Sequence, residues 1–420
     1  MYRLNTTALL AQDKLDVRDK SRANIFNWRG QFTPEFVNYI LESFASSTNL
    51  VIDPFAGSGT VLQECSSKQL ECYGYEINPA AYAMCKFFTL SNLPLAARTV
   101  FLSALEEQVV ISLGPYKSSP LLNDHPDFRI RYSNLLGFAK DLFSRAPTKE
   151  EKVLAVNTML IAETRIKKTL GATILNAFEY VRKAALAMPY TRKRLQACMA
   201  DARLIHQYGP TSADVILTSP PYINVFNYHQ NHRAVLESMG WDLLRVAPSE
   251  IGSNRKNRGN RFRTVVQYCL DMEQALISFW HSLKSDGLMI LVVGRESNVR
   301  KIAFYNGLLI KEILSGLGGF TEITSYERQF TNRFGLNIRE DIIVTRKSAS
   351  LSSSSHARSV AREHLKVAVG RSSQENRDDL LDVINRISEI EASPMFTRKD
   401  LFSKFPHTTP NQRRLARIKA

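Results

Sequence analysis

The chain has 420 residues, 44% hydrophobic and 23% charged, an ordinary folded composition and more than one compact core usually holds. No run approaches the roughly 18 apolar residues needed to cross a bilayer, and Met1-Tyr2-Arg3-Leu4-Asn5 lacks the charged-then-apolar layout of a secretion signal. The five cysteines show no CxxC or Cys/His metal spacing, so they read as reduced cytoplasmic thiols with no metal site, and a formal net charge of +15 favours a polyanionic partner, nucleic acid first.

Residues 1–22 are polar, mixed in charge, and read as a loose arm. Thr33 stands where it can cap a helix with Pro34 in first position, and Phe36, Ile40, Leu41 and Phe44 supply an apolar face. Leu50 to Ile52 then reads as a buried strand running into Asp53-Pro54-Phe55-Ala56-Gly57-Ser58-Gly59-Thr60, a glycine-containing turn that opens a helix near Thr60. Glycine lets backbone approach a ligand closely, and a helix N-terminus attracts an anionic group. Cys72-Tyr73-Gly74-Tyr75-Glu76 is a second strand ending in an acid, about 20 residues on, where dinucleotide-type folds hold ribose hydroxyls. No Gly-Lys-Ser/Thr follows, which excludes a phosphate loop, and Gly57-Ser58-Gly59-Thr60-Val61-Leu62 lacks the third glycine of the dinucleotide fingerprint. The unit suits a nucleoside without a pyrophosphate.

Residues 87–195 differ in character. Leu121 to Arg145 and Thr148 to Leu186 are predicted helices, with Thr148-Lys149-Glu150-Glu151 as a capping box. Lys and Arg recur through this stretch, so a DNA-holding insert and a helical lid with solvated charges both fit. Leu195 to Arg203 returns to a strand, with Asp201 at its end. Ala213 to Leu217 is another strand, and Thr218-Ser219-Pro220-Pro221-Tyr222 follows it. Two prolines cannot continue a ladder, so the chain must turn there. Ser219 Oγ and the Pro220 carbonyl can accept both protons of an exocyclic amino group while Tyr222 stacks on its ring. A plain proline-rich turn is the alternative.

His229 and His232 have no partner at metal spacing and are expected to be loop or DNA contacts. The densest basic patch follows, a Gly/Asn-rich loop with Arg255, Lys256, Arg258, Arg261 and Arg263, expected to touch phosphates. Val266 to Leu283 is an amphipathic helix, Gly287 to Gly294 a buried strand, and Phe304 to Leu317 a helix. Phe320 to Arg328 and Glu340 to Thr345 read as closing strands, paired antiparallel. The α/β alternation from 50 to 346 is that of a doubly wound sheet. Ser348 to Ser355 reads as a linker, and residues 356–420 as a charged helical tail in which Phe396 to Leu415 hints at a helix-turn-helix.

With these pieces placed, the sequence resembles the amino-group DNA methyltransferases, which use S-adenosylmethionine to methylate cytosine N4 or adenine N6. The resemblance covers residues 24–96 and 196–346 and implies a Rossmann-like doubly wound methyltransferase sheet, here with a helical insert and a helical C-terminal region. It implies cofactor contacts from Phe32, Thr33 and Pro34, from Asp53, Pro54, Phe55, Gly57, Gly59 and Thr60, and from Thr218. Glu76 becomes the ribose acid, Asp201 the acid near the cofactor adenine, and Ser219, Pro220, Pro221 and Tyr222 the catalytic tetrad. The chain then divides into an arm and cofactor part (1–86), the insert (87–195), a catalytic part (196–347) and the tail (348–420). Target recognition is open among the insert, the 240–265 loop and the tail.

Cytosine C5 chemistry needs a cysteine nucleophile after a proline, and no Pro-Cys pair occurs. In the family Ser-Pro-Pro-Tyr goes mostly with cytosine N4 and Asp-Pro-Pro-Tyr mostly with adenine N6, so Ser219 points to N4. The implied partners are double-stranded DNA, from which the target base is extruded, and a cognate restriction endonuclease; the implied place is the cytoplasm, on the nucleoid. An adenine N6 enzyme, an RNA base methyltransferase and a non-catalytic DNA-binding protein are the alternatives.

Overall fold

The computed structural model, which describes residues 10–18, 21–117, 124–167, 169–223, 227–253, 257, 259–331 and 335–397, holds a seven-stranded sheet and a separate hairpin. In chain order the strands are β1 (Leu50–Asp53), β2 (Glu71–Tyr75), β3 (Leu195–Cys198), β4 (Ala213–Thr218), β5 (Leu283–Gly294), β6 (Glu296–Val299), β7 (Ile302–Tyr305), β8 (Phe320–Thr331) and β9 (Asn337–Lys347). The sheet order is β3-β2-β1-β4-β5-β9-β8. The first five of these run parallel, and β9 runs antiparallel to both β5 and β8. This is the doubly wound sheet expected, closed by the expected antiparallel pair.

Side chains along each central strand alternate between two cores, as the period of two in a strand requires. Val51, Cys72, Val215, Leu217, Ile290 and Val344 face one; Ile52, Tyr73, Ile216, Met289, Leu291 and Ile343 face the other. Helices Pro34–Phe44, Thr60–Ser67 and Pro79–Phe87 cover the first face. Helices Arg263–Ser282, Asn306–Leu317 and Ala357–Val369 cover the second. Both faces are therefore buried, which is why the strands read as apolar runs.

The insert is a four-helix packing of Leu95–Lys117, Phe128–Arg145, Lys149–Thr164 and Leu170–Ala187 whose apolar side chains join the first core. The continuous helix expected over Thr148 to Leu186 is two helices. The first is capped by Thr148, which accepts from Glu151 N (3.1 Å), and the second by Thr169, which accepts from Ala172 N (3.1 Å). Leu95–Lys117 escapes the sequence reading because apolar residues occur all round it, with no stripe to mark a face: Leu105 and Leu113 are buried while Val110 and Ile111 are exposed. Asn157 ties the insert to helix Pro79–Phe87 by donating to Ala83 O (2.8 Å).

The hairpin of β6 and β7 follows β5 directly and is not among the elements the sequence predicts. The tail helices Ala357–Val369 and Gln374–Asn385 pack on the second face. Glu273 accepts from Ser355 Oγ, His356 N and Ala357 N (2.5, 2.6 and 2.9 Å), which fixes the start of the first of them. The suggested helix-turn-helix lies, from residue 398 on, outside the described residues. Among the described residues no helix is long and apolar enough to cross a membrane.

A candidate active-site cleft at the strand ends

The sheet order reverses between β1 and β4, which lie side by side although far apart in sequence. In open α/β sheets ligands bind in the crevice at the carboxyl ends of the strands at such a point. Here Asp53 ends β1 and Thr218 ends β4, and Thr218 Oγ1 donates to Asp53 Oδ1 at 2.6 Å across 165 positions of sequence. A cleft whose empty volume, counted out to the open mouth, is about 870 Å³ lies over this junction.

Its floor is the turn after β1. Gly57 and Gly59 both have positive φ (50° and 89°), a region glycine enters without cost. A Cβ on Gly59 would come within 2.7 Å of Cys85 Cα, so only glycine lets helix Thr60–Ser67 start this close to helix Pro79–Phe87. Ala56 N donates to Tyr75 O (2.9 Å), fixing the turn against β2. Glu76 accepts from Gly57 N (3.0 Å) and Asn78 N (2.8 Å). Asp53 also accepts from Phe55 N (3.2 Å). Burial raises the pKa of both carboxyls to about 7, and for Glu76 the charge of Asp53 adds to the effect. Two buried acids beside a helix N-terminus suit a ligand that carries positive charge and hydroxyls together.

Of the residues expected at this site, Phe32, Asp53, Pro54, Phe55, Gly57, Thr60, Glu76, Asp201, Ser219 and Pro221 line the cleft. Gly59, Thr218 and Pro220 are not among the lining residues; Thr218 supports the floor through its bond to Asp53, and Pro220, expected in the catalytic tetrad, sits between two residues that do line it. Thr33 occupies the cap position but its side chain makes no cap bond, and Pro34 is simply the first helical residue. Asp201 differs more. Its Oδ1 accepts from Arg203 N (3.0 Å) and Nε (2.9 Å), and its Oδ2 from Arg203 Nη2 (2.6 Å) and Phe396 N (3.0 Å). A carboxylate has about four acceptor positions, so none is left for a cofactor amino group.

Tyr222 also departs from expectation. Its ring lies against β5, where a Cβ on Gly294 would meet it at 2.6 Å, and its hydroxyl donates to Glu340 Oε1 on β9 (3.0 Å). Arg328 Nε holds the other Glu340 oxygen (2.7 Å) and stacks over Phe36 (3.9 Å). Burial, then the Glu340 charge, push the Tyr222 phenol well above its usual range. The ring is thus a packed support with its hydroxyl 3.5 Å from Ser219 Oγ, and it does not line the cleft. Beside Phe32, Phe55 and Tyr75, the cleft is lined by the aromatic pair Trp28 and Tyr228, stacked on each other at 5.9 Å and 19°. Neither was read from sequence, nor were Ser249, Glu250 and Ile251, which line the wall beside the tetrad. Gly252 presses on that same wall, since a Cβ there would lie 2.3 Å from Tyr222 O.

The two histidines have acidic partners after all, brought by folding. His229 Nδ1 is 2.7 Å from Glu250 Oε2, both buried. His232 Nδ1 is 2.6 Å from Glu163 Oε2 on the insert, and Glu163 Oε1 accepts from Tyr132 OH (2.5 Å). They staple the loop after the tetrad to the neighbouring wall and to the insert. Of the basic patch, Arg255, Lys256 and Arg258 lie outside the described residues; Arg261 is exposed, Arg263 begins helix Arg263–Ser282, and neither lines the cleft.

Residues 10–87 match the DNA methylase family (N6_N4_Mtase). A curated relative, the type II methyltransferase M.MjaII of Methanocaldococcus jannaschii, is 33% identical over 72 residues. That stretch is 17% of this chain and 14% of the relative. Among solved structures, a SAM-dependent methyltransferase from Methanosarcina mazei aligns at 10% identity and a TM-score of 0.31, over 73% of this chain and 96% of that one. The rRNA methyltransferase aviRa from Streptomyces viridochromogenes aligns at 12% identity and a TM-score of 0.30, over 81% and 95%. The matched residues 10–87 hold the N-terminal arm, the glycine turn and Glu76, and over that stretch the chain is similar to the DNA methylases, while it spans only a small part of the curated relative's length.

Proposed function

We propose that the protein is a site-specific DNA methyltransferase that transfers the methyl group of S-adenosylmethionine to cytosine N4. The observation that carries this reading is that Asp53 and Ser219, from motifs on neighbouring strands, line one cleft with Glu76. When bound, the cofactor supplies a methyl group already activated on a sulfonium. Glu76 is assigned to the ribose hydroxyls and Asp53 to the cofactor's positive charge. Ser219 Oγ and the Pro220 carbonyl accept the two amino protons of the target base. That draws the nitrogen lone pair out of the ring and aims it for in-line displacement, so positioning does most of the work. No strong base is needed beforehand, because the proton becomes far more acidic once the nitrogen carries the methyl group. The base leaves the duplex to reach the cleft, and Trp28 and Tyr228 offer ring faces to replace the lost stacking. Ser219, neutral and able to donate as well as accept, suits a cytosine edge.

The test is transfer of labelled methyl groups to duplex DNA, tRNA and rRNA, with the product digested to nucleosides. N4-methylcytosine from DNA is expected; N6-methyladenine would reassign the base, and label in RNA alone would overturn the DNA reading.

Two further outcomes follow. Because Asp53 and Glu76 titrate near 7 in the free protein, docking of a cation favours their charged forms and releases protons. Cofactor affinity therefore rises between pH 6 and 8, by about tenfold in all for each carboxyl that the bound cation keeps ionised, and levels off above. Calorimetric titration in buffers of differing ionisation heat reads the proton count, and a pH-independent affinity would contradict the assignment of Asp53. Replacing Arg261 and Arg263 together with Arg255, Lys256 and Arg258 by glutamine weakens DNA binding on every sequence alike. The log–log salt slope falls by about one for each phosphate no longer neutralised. An unchanged slope returns that loop to ordinary solvated surface.

A further inference from the structure

The segment Ser393–Phe396 has no counterpart in the motifs that define the cleft, yet it is bonded into the cleft wall. Arg203 is the centre. Its guanidinium has five N–H groups, and all five are used. Nε and one Nη2 hydrogen go to Asp201 (2.9 and 2.6 Å), and one Nη1 hydrogen goes to Asp271 (3.0 Å). The remaining two go to Ser393 O (2.7 Å) and Pro394 O (2.9 Å). The segment answers in kind: Ser393 N and Oγ donate to Asp271 (2.7 and 2.6 Å), and Phe396 N donates to Asp201 Oδ2. Arg203, Asp201 and Asp271 side chains are 0%, 2% and 0% exposed, so no water stands ready to replace these partners.

A second contact reaches the cleft separately. The Phe396 ring is buried in a small cluster with Met199 and Val246, and Ile77 packs against that cluster. Ile77, Ala200, Asp201 and Ala202 form the cleft wall next to Glu76. The segment therefore backs both strips of that wall, one by hydrogen bonds and one through the apolar cluster its ring belongs to.

We propose that Ser393–Phe396 completes the nucleoside end of the cofactor site, so that cofactor binding and docking of this segment reinforce each other. The proposal rests on the cofactor reading given above. Asp201, saturated as it is, acts as a positioning residue that fixes the Ala200–Ala202 backbone, and the segment fixes Asp201. Ordering the wall is part of the cost of binding, and a docked segment removes that cost; by linkage a bound cofactor holds the segment down to the same extent.

Backbone amide exchange of Ser393 and Phe396 in the wild-type chain, with and without saturating S-adenosylhomocysteine, tests this directly. Exchange slowed at least about tenfold by the ligand is expected. Equal exchange in both states would overturn the coupling. In parallel, Ser393→Ala and Phe396→Ala should each weaken S-adenosylhomocysteine binding about fivefold to tenfold. Val383→Ala, buried in a tail helix off the cleft wall, should lower the melting temperature and leave that affinity alone. Loss of melting temperature in all three with unchanged affinity would reduce the segment to a structural strap. Failure of the wild-type chain to bind S-adenosylhomocysteine would overturn the cofactor reading and this proposal with it.

Discussion

Replacing Ser219 by alanine is expected to lower the methyl-transfer rate constant about 100- to 1,000-fold and to leave cofactor affinity where it was. Losing one preorganised group that acts on the reacting nitrogen in the transition state costs roughly 3–4 kcal/mol of barrier in comparable sites. Ser219 lines the cleft, while the bonds that shape the cofactor floor run through Thr218, Asp53 and Glu76. Thr218→Ala is the contrasting case. It strips Asp53 of its 2.6 Å donor, so its effect should fall on cofactor binding more than on the chemical step. Single-turnover transfer of labelled methyl groups, with cofactor affinity measured alongside, separates the two. A loss under tenfold at Ser219 would make the Ser-Pro-Pro-Tyr stretch the plain turn that its sequence also permitted.

Arg203→Met should destabilise the fold by about 3–5 kcal/mol, because it leaves two buried carboxylates facing each other without their cation. The loss should depend on pH, and the sign follows from the acids. Burial already raises the Asp271 pKa to about 6 with Arg203 present, which opposes its charged form. A carboxyl whose folded pKa exceeds its unfolded value contributes stability when protonated and loses it as pH rises through the folded value. Without the guanidinium, the cation that lowers it, the Asp271 carboxyl moves further up, so the deficit is smaller at pH 5 and larger at pH 8. Denaturant unfolding of wild type and variant at the two pH values reads this. A deficit under about 1 kcal/mol at pH 8, the worth of an exposed pair, would mean that the network is weaker than its burial implies.

What could be read ahead of the structure was local chemistry. Asp53 to Thr60 announces a tight turn into a helix, and Thr218 to Tyr222 announces the end of a strand, whatever the rest of the chain does. The apolar runs at Leu50, Ala213 and Gly287 became sheet centre because strands buried on both faces need no alternation. The hairpin at 296–305 was invisible because its turn residues, Arg300 and Lys301, both sit at positive φ (50° and 69°), where Asn-Gly would have given it away. Asp201 and Tyr222 both follow strands, Asp201 three residues beyond the end of β3, and their partners could not be foreseen. Phe396 lies 195 positions from Asp201 and Glu340 lies 118 from Tyr222, and no spacing rule reaches so far. His229 and His232 show the same limit, since their carboxylates come from other elements.

The bond from His232 to Glu163, with Tyr132 on the other carboxylate oxygen, sets how a target could be admitted. The loop after the tetrad is anchored at that point to two helices of the insert, so it is not a free flap. It opens either by breaking a short, largely desolvated contact or by carrying the bundle with it. The second is a rigid-body swing of packed helices, a microsecond-to-millisecond motion and not a nanosecond one. The pace of base exchange would then be that of the helical bundle and not of the loop itself.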